Sequence, residues 1–171
     1  MMTTQKDIRA WLAGRLPDDW FTGTAEVDVD RDEILVVGAL PQPSLSDDAD
    51  ADDRAAADRS RIEAWREETR RARMEIARQA ERTFDRIISW GATCGDQRSL
   101  FTTVSSPAMT RLRMPERKVL DTLIAAGVAR SRSDALAWCV RLVAEKQDEW
   151  LSDLREAIAK VHEVRGQGPG R

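Results

Sequence analysis

Three side chains suited to reading nucleic-acid bases stand at alternate positions just before Pro115. Met109, Arg111 and Arg113 occupy a short alternating segment, residues 109–114. Successive side chains of a strand point to opposite faces, so we expect these three to share one face. An arginine guanidinium can donate two hydrogen bonds to O6 and N7 of a guanine in the major groove. Arg111 and Arg113 could instead form the solvated face of an ordinary edge strand.

A second group, Ser131, Arg132 and Ser133, stands where a helix is predicted to begin. The unpaired N–H groups and the positive dipole end of a helix N-terminus favour a phosphate oxygen. Either Ser131 or Ser133 could cap this helix, and Asp134 completes an S-x-x-D capping box with Ser131. In the alternative interpretation, the serines cap the helix and contact no phosphate.

The elements around these residues are short. A helix is predicted to begin at Pro115 and to end at Gly127, and a second helix follows with a buried stripe that continues to Val143. Residues 147–164 are predicted to extend that last helix. One strand and two such helices cannot bury a core alone, so the pattern predicts a second copy with antiparallel strand pairing and two-fold symmetry.

The run R-L-R-M-P-E, an apolar helix ending in A-G-V, and then S-R-S-D-A resemble the ribbon-helix-helix family of MetJ and Arc type. The resemblance covers residues 109–145. It implies a homodimer that places its paired strands in the major groove of double-stranded DNA. Carried over by position, it implies base contacts from Arg111 and Arg113, with Met109 at the rim. It also implies phosphate contacts from the start of the second helix, at residues 131–133.

The residues before this module predict an α+β unit over 1–103, followed by the module over 104–171. A short helix precedes a β-hairpin with strands near 25–29 and 34–40, and residues 41–53 are predicted to be an acidic linker. A long helix over 55–88 leads to a second hairpin with strands near 89–94 and 99–103. The predicted apolar stripe of the long helix contains Ile62, Trp65, Thr69, Ala72, Ile76, Ala80, Phe84 and Ile87. One four-stranded sheet backed by this helix would bury that stripe.

Arginines are dense on the long helix, and two interpretations compete. They could form a solvated face paired with the neighbouring glutamates, which is the commoner arrangement. They could also line a nucleic-acid surface. Residues 54–100 carry 11 basic and 8 acidic side chains, whereas residues 1–53 carry 4 and 13, and residues 101–132 carry 6 and 2. The basic excess therefore lies in the middle of the chain and the acidic excess at its front.

Several classes of function lack the residues they need. The chain has a single histidine, His162, and two isolated cysteines, Cys94 and Cys139, so no zinc site, disulfide framework or cofactor site is predicted. No nucleophile motif or metal cluster supports an enzyme. The chain shows no apolar run of membrane-spanning length and no signal-peptide pattern, so we expect a cytoplasmic protein that joins the nucleoid when bound to DNA.

The sequence favours a homodimeric DNA-binding transcriptional regulator. An alternative is an antitoxin that represses its own operon and contacts a toxin through residues 1–103, a layout that HicB-type antitoxins resemble. A third hypothesis is a scaffold protein that uses the module only to dimerise. In each case residues 1–103 could bind a protein partner.

Overall fold

The structure is a computed structural model that describes residues 5–46, 48–102 and 104–166. The chain divides into two compact units, Met1–Pro107 and Ala108–Arg171. The first unit contains the sheet and three helices, and the second contains three helices. The α+β fold class is therefore confirmed.

The first unit is organised around a four-stranded sheet. Its strands are β1 (Glu26–Val29), β2 (Glu33–Ala39), β3 (Ile87–Cys94) and β4 (Gln97–Leu100), and they lie in the order β1-β2-β3-β4. β1 with β2 and β3 with β4 form antiparallel hairpins, as the sequence predicts. The two hairpins join through β2 and β3, which run parallel.

Three helices accompany the sheet: α1 (Gln5–Ala13), α2 (Ala51–Glu68) and α3 (Arg70–Phe84). The last two form the crossover that a parallel β2–β3 pair requires. The predicted long helix is interrupted at Thr69, which caps the end of α2 and precedes α3. The hydroxyl of Thr69 donates to the carbonyl of Trp65 at 2.6 Å, the kind of back-bond that bends helices.

The core of this unit lies where the helices meet the sheet. Trp20 stands edge-on to Trp65 and to Trp90, with ring centroids 5.4 Å and 6.0 Å apart. The other buried apolar residues are Ile8, Leu12, Val27, Ile34, Val36, Leu40, Ile62, Ile76, Ala80, Ile88, Ala92 and Cys94. Ile34 and Val36 alternate inward along β2 and are completely buried.

The predicted apolar stripe of the crossover is confirmed at most positions and wrong at two. Ala72 and Ile87 are exposed, whereas Phe84 is half-buried against the core and Arg73 is buried. Arg73 lies four residues after Thr69, so helical spacing puts it on the buried side. The stripe contains Ala72 instead because the sequence pattern follows apolar residues. Ile87 lies on β3 and not on the helix.

Two boundaries also differ from the sequence prediction. Residues 51–53, assigned to the acidic linker, form the first turn of α2 because the Asp50 carboxylate accepts a hydrogen bond from the Asp53 N–H at 2.9 Å. The turn of the second hairpin contains only Gly95 and Asp96, so the return strand begins at Gln97, two residues earlier than predicted. Gly95 has a φ of +52°, as tight two-residue hairpins require. Thr103, the predicted end of that strand, lies outside the described residues.

The second unit consists of α4 (Met114–Ala125), α5 (Arg132–Lys146) and α6 (Asp148–Gly166). Among its described residues, the buried apolar core contains Leu120, Ala129 and Ala135. Residues 109–113 form no strand in the single chain, contrary to the prediction, and Met114 already belongs to α4. A β-ladder needs a second strand, which this unit does not contain in its described residues. The predicted tail is also a separate helix, because α5 ends at Lys146 with Gln147 as its C-cap.

Gly38 tests the packing of the sheet against the chain that precedes it. A Cβ atom at Gly38 would overlap the Phe21 ring, whereas one at Gly23 would meet nothing within 4 Å. We expect Gly38→Ala to lower the free energy of unfolding by about 1–3 kcal/mol, because the core must shift to accommodate the methyl group. Gly23→Ala should change it by less than about 0.5 kcal/mol. Urea unfolding followed by tryptophan fluorescence measures both, and equal midpoints would contradict this packing.

Candidate nucleic-acid interface

The segment before α4 shows the predicted alternation only at Leu112, because Thr110 and Met114, predicted on the same face as Leu112, are exposed. Leu112 is half-buried and packs on the small core of the second unit. Met109, Arg111 and Arg113 are exposed, Met109 completely so. Arg113 has extended backbone angles, φ −82° and ψ 175°, and is the N-cap of α4. The structure therefore places the predicted base-contacting side chains in solvent, with the intervening leucine turned toward the helices.

Arg117 of α4 ties this segment to the helix. Its Nη1 donates to the carbonyl oxygen of Leu112 at 2.7 Å, and its backbone N–H donates to the carbonyl of Arg113 at 3.0 Å. The backbone groups of residues 109–111 have no hydrogen-bond partner within the described part of the chain. Among the described residues, the carbonyls of Leu112 and Arg113 are therefore occupied by Arg117, whereas the backbone groups of residues 109–111 remain open to a partner.

The start of α5 is a reciprocal cap. The Ser131 hydroxyl accepts from the Asp134 N–H at 3.2 Å, and the Asp134 carboxylate accepts from the Arg130 N–H at 3.0 Å. Of the two candidate caps, Ser131 is therefore the residue used. The N–H groups of Arg132 and Ser133 have no partner among the residues described, which is typical of donors in the first helical turn.

The side chain of Arg132 is already paired. Its Nε and Nη2 donate to the two carboxylate oxygens of Asp121 on α4, each at 2.8 Å. This contact lowers the pKa of Asp121 and raises the pKa of Arg132. Both side chains are at least half exposed, so the pair orients α5 on α4 without adding much stability. A phosphate at this position would contact the Arg132 backbone N–H, because the Arg132 guanidinium is already bound to Asp121.

Sequence reasoning missed Arg117 and Asp121, the two residues that hold the segment and the start of α5. They lie four residues apart on α4 and therefore one turn apart on the same side of the helix. That spacing, with an arginine just after the predicted strand and an acid one turn later, is the signal that could have found them.

Much of the apolar surface of the second unit is uncovered. The exposed large apolar side chains of α4, α5 and the loop between them are Met114, Val119, Val128, Val140, Leu142 and Val143. On α6 they are Trp150, Leu154, Ile158, Val161 and Val164, and no described residue of α6 is buried. Exposed apolar surface of this extent is typical of a chain that meets a partner.

Cys94 and His162 have different surroundings, the thiol being buried and the imidazole exposed. The Cys94 thiol of the first unit donates to Asp58 Oδ1 at 3.3 Å, and burial together with that carboxylate raises its pKa to about 11. It is therefore protonated at neutral pH and a poor nucleophile. His162 is exposed on α6. Within residues 5–46, 48–102 and 104–166, no cluster of histidine, cysteine and acidic side chains could hold a metal ion.

Among the described residues, no helix is both long enough and apolar enough to cross a bilayer.

Two family models match the chain, one for each unit. Residues 6–100 match the model described as Rv1265-like protein, N-terminal domain, and residues 113–165 match the model described as Mb1296 C-terminal domain. The first match spans the sheet with its helices, and the second spans α4, α5 and most of α6. No solved structure gives a significant match.

Similar proteins occur in mycobacteria. They include Uncharacterized protein Rv1265 of Mycobacterium tuberculosis and Uncharacterized protein Mb1296 of Mycobacterium bovis. Each is 52% identical to this chain over 159 residues, which cover 93% of this chain and 69% of the relative.

The cap of α5 separates the roles of the two serines. We expect Ser131→Ala to speed hydrogen exchange at the first amides of α5 by about fivefold, because losing an N-cap costs about 1 kcal/mol. Ser133→Ala is the matched control and should leave exchange nearly unchanged, since its hydroxyl caps nothing. Exchange followed by mass spectrometry measures both variants. A larger effect of Ser133→Ala would move the cap to that residue.

Proposed function

The chain belongs to the Rv1265-like family, and we propose that it is a homodimeric DNA-binding protein that acts as a transcriptional regulator. Residues 109–113 of two copies would pair as an antiparallel ribbon and enter the major groove. The observation that carries this proposal is the arrangement of the segment itself: Arg111 and Arg113 face solvent, while Leu112 between them packs on the helices.

The backbone of the segment supports pairing with a second copy. The carbonyls of Leu112 and Arg113 are occupied by Arg117, and the backbone groups of residues 109–111 are unpaired within the described residues. Two copies related by a two-fold axis would join these unpaired groups, each supplying the donors and acceptors the other needs. Such a ribbon leaves Arg111 and Arg113 of both copies on one face, where their guanidinium groups can reach base edges.

The uncovered apolar surface gives a second reason for dimerisation. A core of three buried residues is too small to hold three helices, and a partner would cover side chains such as Val140 and Val143. In a two-fold dimer the same patch of each copy is buried against the other. The partner would thereby complete a core that one copy contains only in part.

Contacts with the DNA backbone would come from the start of α5. The N–H groups of Arg132 and Ser133 are unpaired within the described residues and lie at the positive end of a 15-residue helix. Phosphate contacts of this kind fix the position of a protein on DNA and carry no sequence information, so specificity would rest on Arg111 and Arg113.

We expect the purified protein to be a dimer by light scattering and to select specific fragments from genomic DNA. Affinity should fall steeply as salt rises, because phosphate contacts release counterions. Arg111→Ala and Arg113→Ala should each weaken binding to a selected site by about 1–3 kcal/mol while the dimer persists. Arg155→Ala, an exposed change on α6, is the matched control and should leave binding unchanged.

Two results would contradict the proposal. A stable dimer that binds no fragment at low salt would identify the second unit as a dimerisation module of a scaffold protein. A monomer that binds no DNA would contradict both the DNA-binding ribbon and the scaffold hypothesis.

A further inference from the structure

Arg73 is a cation buried among aromatic rings in the first unit. Arg73 is only 7% exposed. Its guanidinium carbon lies 5.0 Å from the ring centre of Phe101, 5.4 Å from that of Trp65 and 6.0 Å from that of Trp90. Cation–π contacts of this kind stabilise a guanidinium but leave its N–H groups to find acceptors.

Only part of that donor capacity is used. Nε donates to the Thr69 hydroxyl at 3.0 Å, and Nη2 donates to the Arg66 carbonyl at 2.6 Å. Both acceptors are neutral and belong to the bend between α2 and α3. Nη1 has no hydrogen-bond partner within the described residues. The guanidinium is therefore held rigidly, with one nitrogen still available.

The positive charge of Arg73 also lacks a counterion. No carboxylate of the described residues lies within 4.0 Å of it. Burial lowers the pKa of Arg73, and the charges of Arg66 and Arg70 lower it further, while Glu67 acts in the opposite direction. A buried charge normally has a charged partner, because desolvation is costly when no opposite charge offsets it.

An open cavity lies beside this charge. Its volume is about 370 Å³, which is within the range of small-molecule sites. Arg66, Arg70 and Arg73 contribute to its walls, and Glu67 is the one acidic side chain among the described residues that line it. The remaining wall is mainly apolar and contains Met74, Ala77, Ile88, Trp90 and Phe101. Arg66 also lies over the Phe101 ring, at 5.5 Å.

We propose that this cavity binds a small organic acid, with its carboxylate against the three arginines and its apolar body against Phe101 and Trp90. A carboxylate would supply the missing negative charge, and guanidinium groups bind carboxylates through paired hydrogen bonds. The apolar wall distinguishes such a ligand from inorganic phosphate, which would leave that wall in contact with water. This site lies wholly within the first unit and does not depend on the DNA-binding proposal.

Three probes separate charge from apolar contact in calorimetric titrations of the full chain. They are 2-naphthoate, the neutral 2-naphthamide of the same shape, and inorganic phosphate. We expect 2-naphthoate to bind with one-to-one stoichiometry and at least about tenfold more tightly than either of the others. Equal affinity of the acid and the amide would reduce the cavity to an apolar cleft. Phosphate binding as tight as that of naphthoate, or no binding of naphthoate, would also overturn the proposal.

Variants of exposed arginines test the location without disturbing the core. Arg66→Gln and Arg70→Gln should each weaken naphthoate binding about fivefold to tenfold, because each removes one positive charge from the lining of the cavity. Arg71→Gln is the matched control, since Arg71 is exposed on the same helix but does not line the cavity. Arg73→Lys keeps the charge but loses the planar donor group, and should lose most of the affinity while near-ultraviolet circular dichroism stays native. An equal loss in Arg71→Gln would assign the binding to unspecific surface charge and overturn the proposed site.

Discussion

The parallel pairing of β2 with β3 is the constraint on which the first unit depends. Seven residue pairs join these strands, from Glu33 with Ile87 to Ala39 with Thr93. Parallel neighbours cannot be joined by a tight turn, so the chain must cross the sheet between them, and α2 and α3 make that crossing. The bend at Thr69 follows the face they cover. It also brings Arg73 over Trp65 and Trp90, residues that lie 25 positions apart in the chain.

The elements with local signals could be predicted from the sequence, and those set by distant contacts could not. Both hairpins, the helix that begins near Pro115 and a serine cap at residue 131 or 133 follow from turn residues, proline and capping chemistry. The burial of Arg73 instead depends on three aromatic rings from α2, β3 and the chain after β4. Because the sequence pattern places charged residues at the surface, it predicts Ala72 and not Arg73 on the buried stripe. Residues 109–113, predicted as a strand, form none in the structure, because no second strand pairs with them among the described residues.

The two units differ in how completely they bury their apolar side chains. The first unit encloses a continuous core of 15 buried residues, including three tryptophans. The second encloses three and leaves side chains as large as Trp150 more than half exposed. Helices of this length gain most of their stability from packing one face, and α6 has no packed face within the described residues. The second unit therefore leaves most of the apolar faces of its described helices uncovered.

Charge placement distinguishes the arginines that hold the structure from those that remain free to bind. Arg117 is engaged by a backbone carbonyl, and Arg132 is neutralised by the Asp121 carboxylate. Arg111 and Arg113 have neither kind of partner among the described residues, and as exposed cations they need none, since water solvates them. Arg73 is the opposite case, because its side chain is largely buried and its hydrogen bonds go only to neutral groups. A solvated arginine costs little in folding, whereas a buried one without a counterion lowers stability. An anion beside Arg73 would offset that cost, at a helix position that the sequence pattern places on the solvated face.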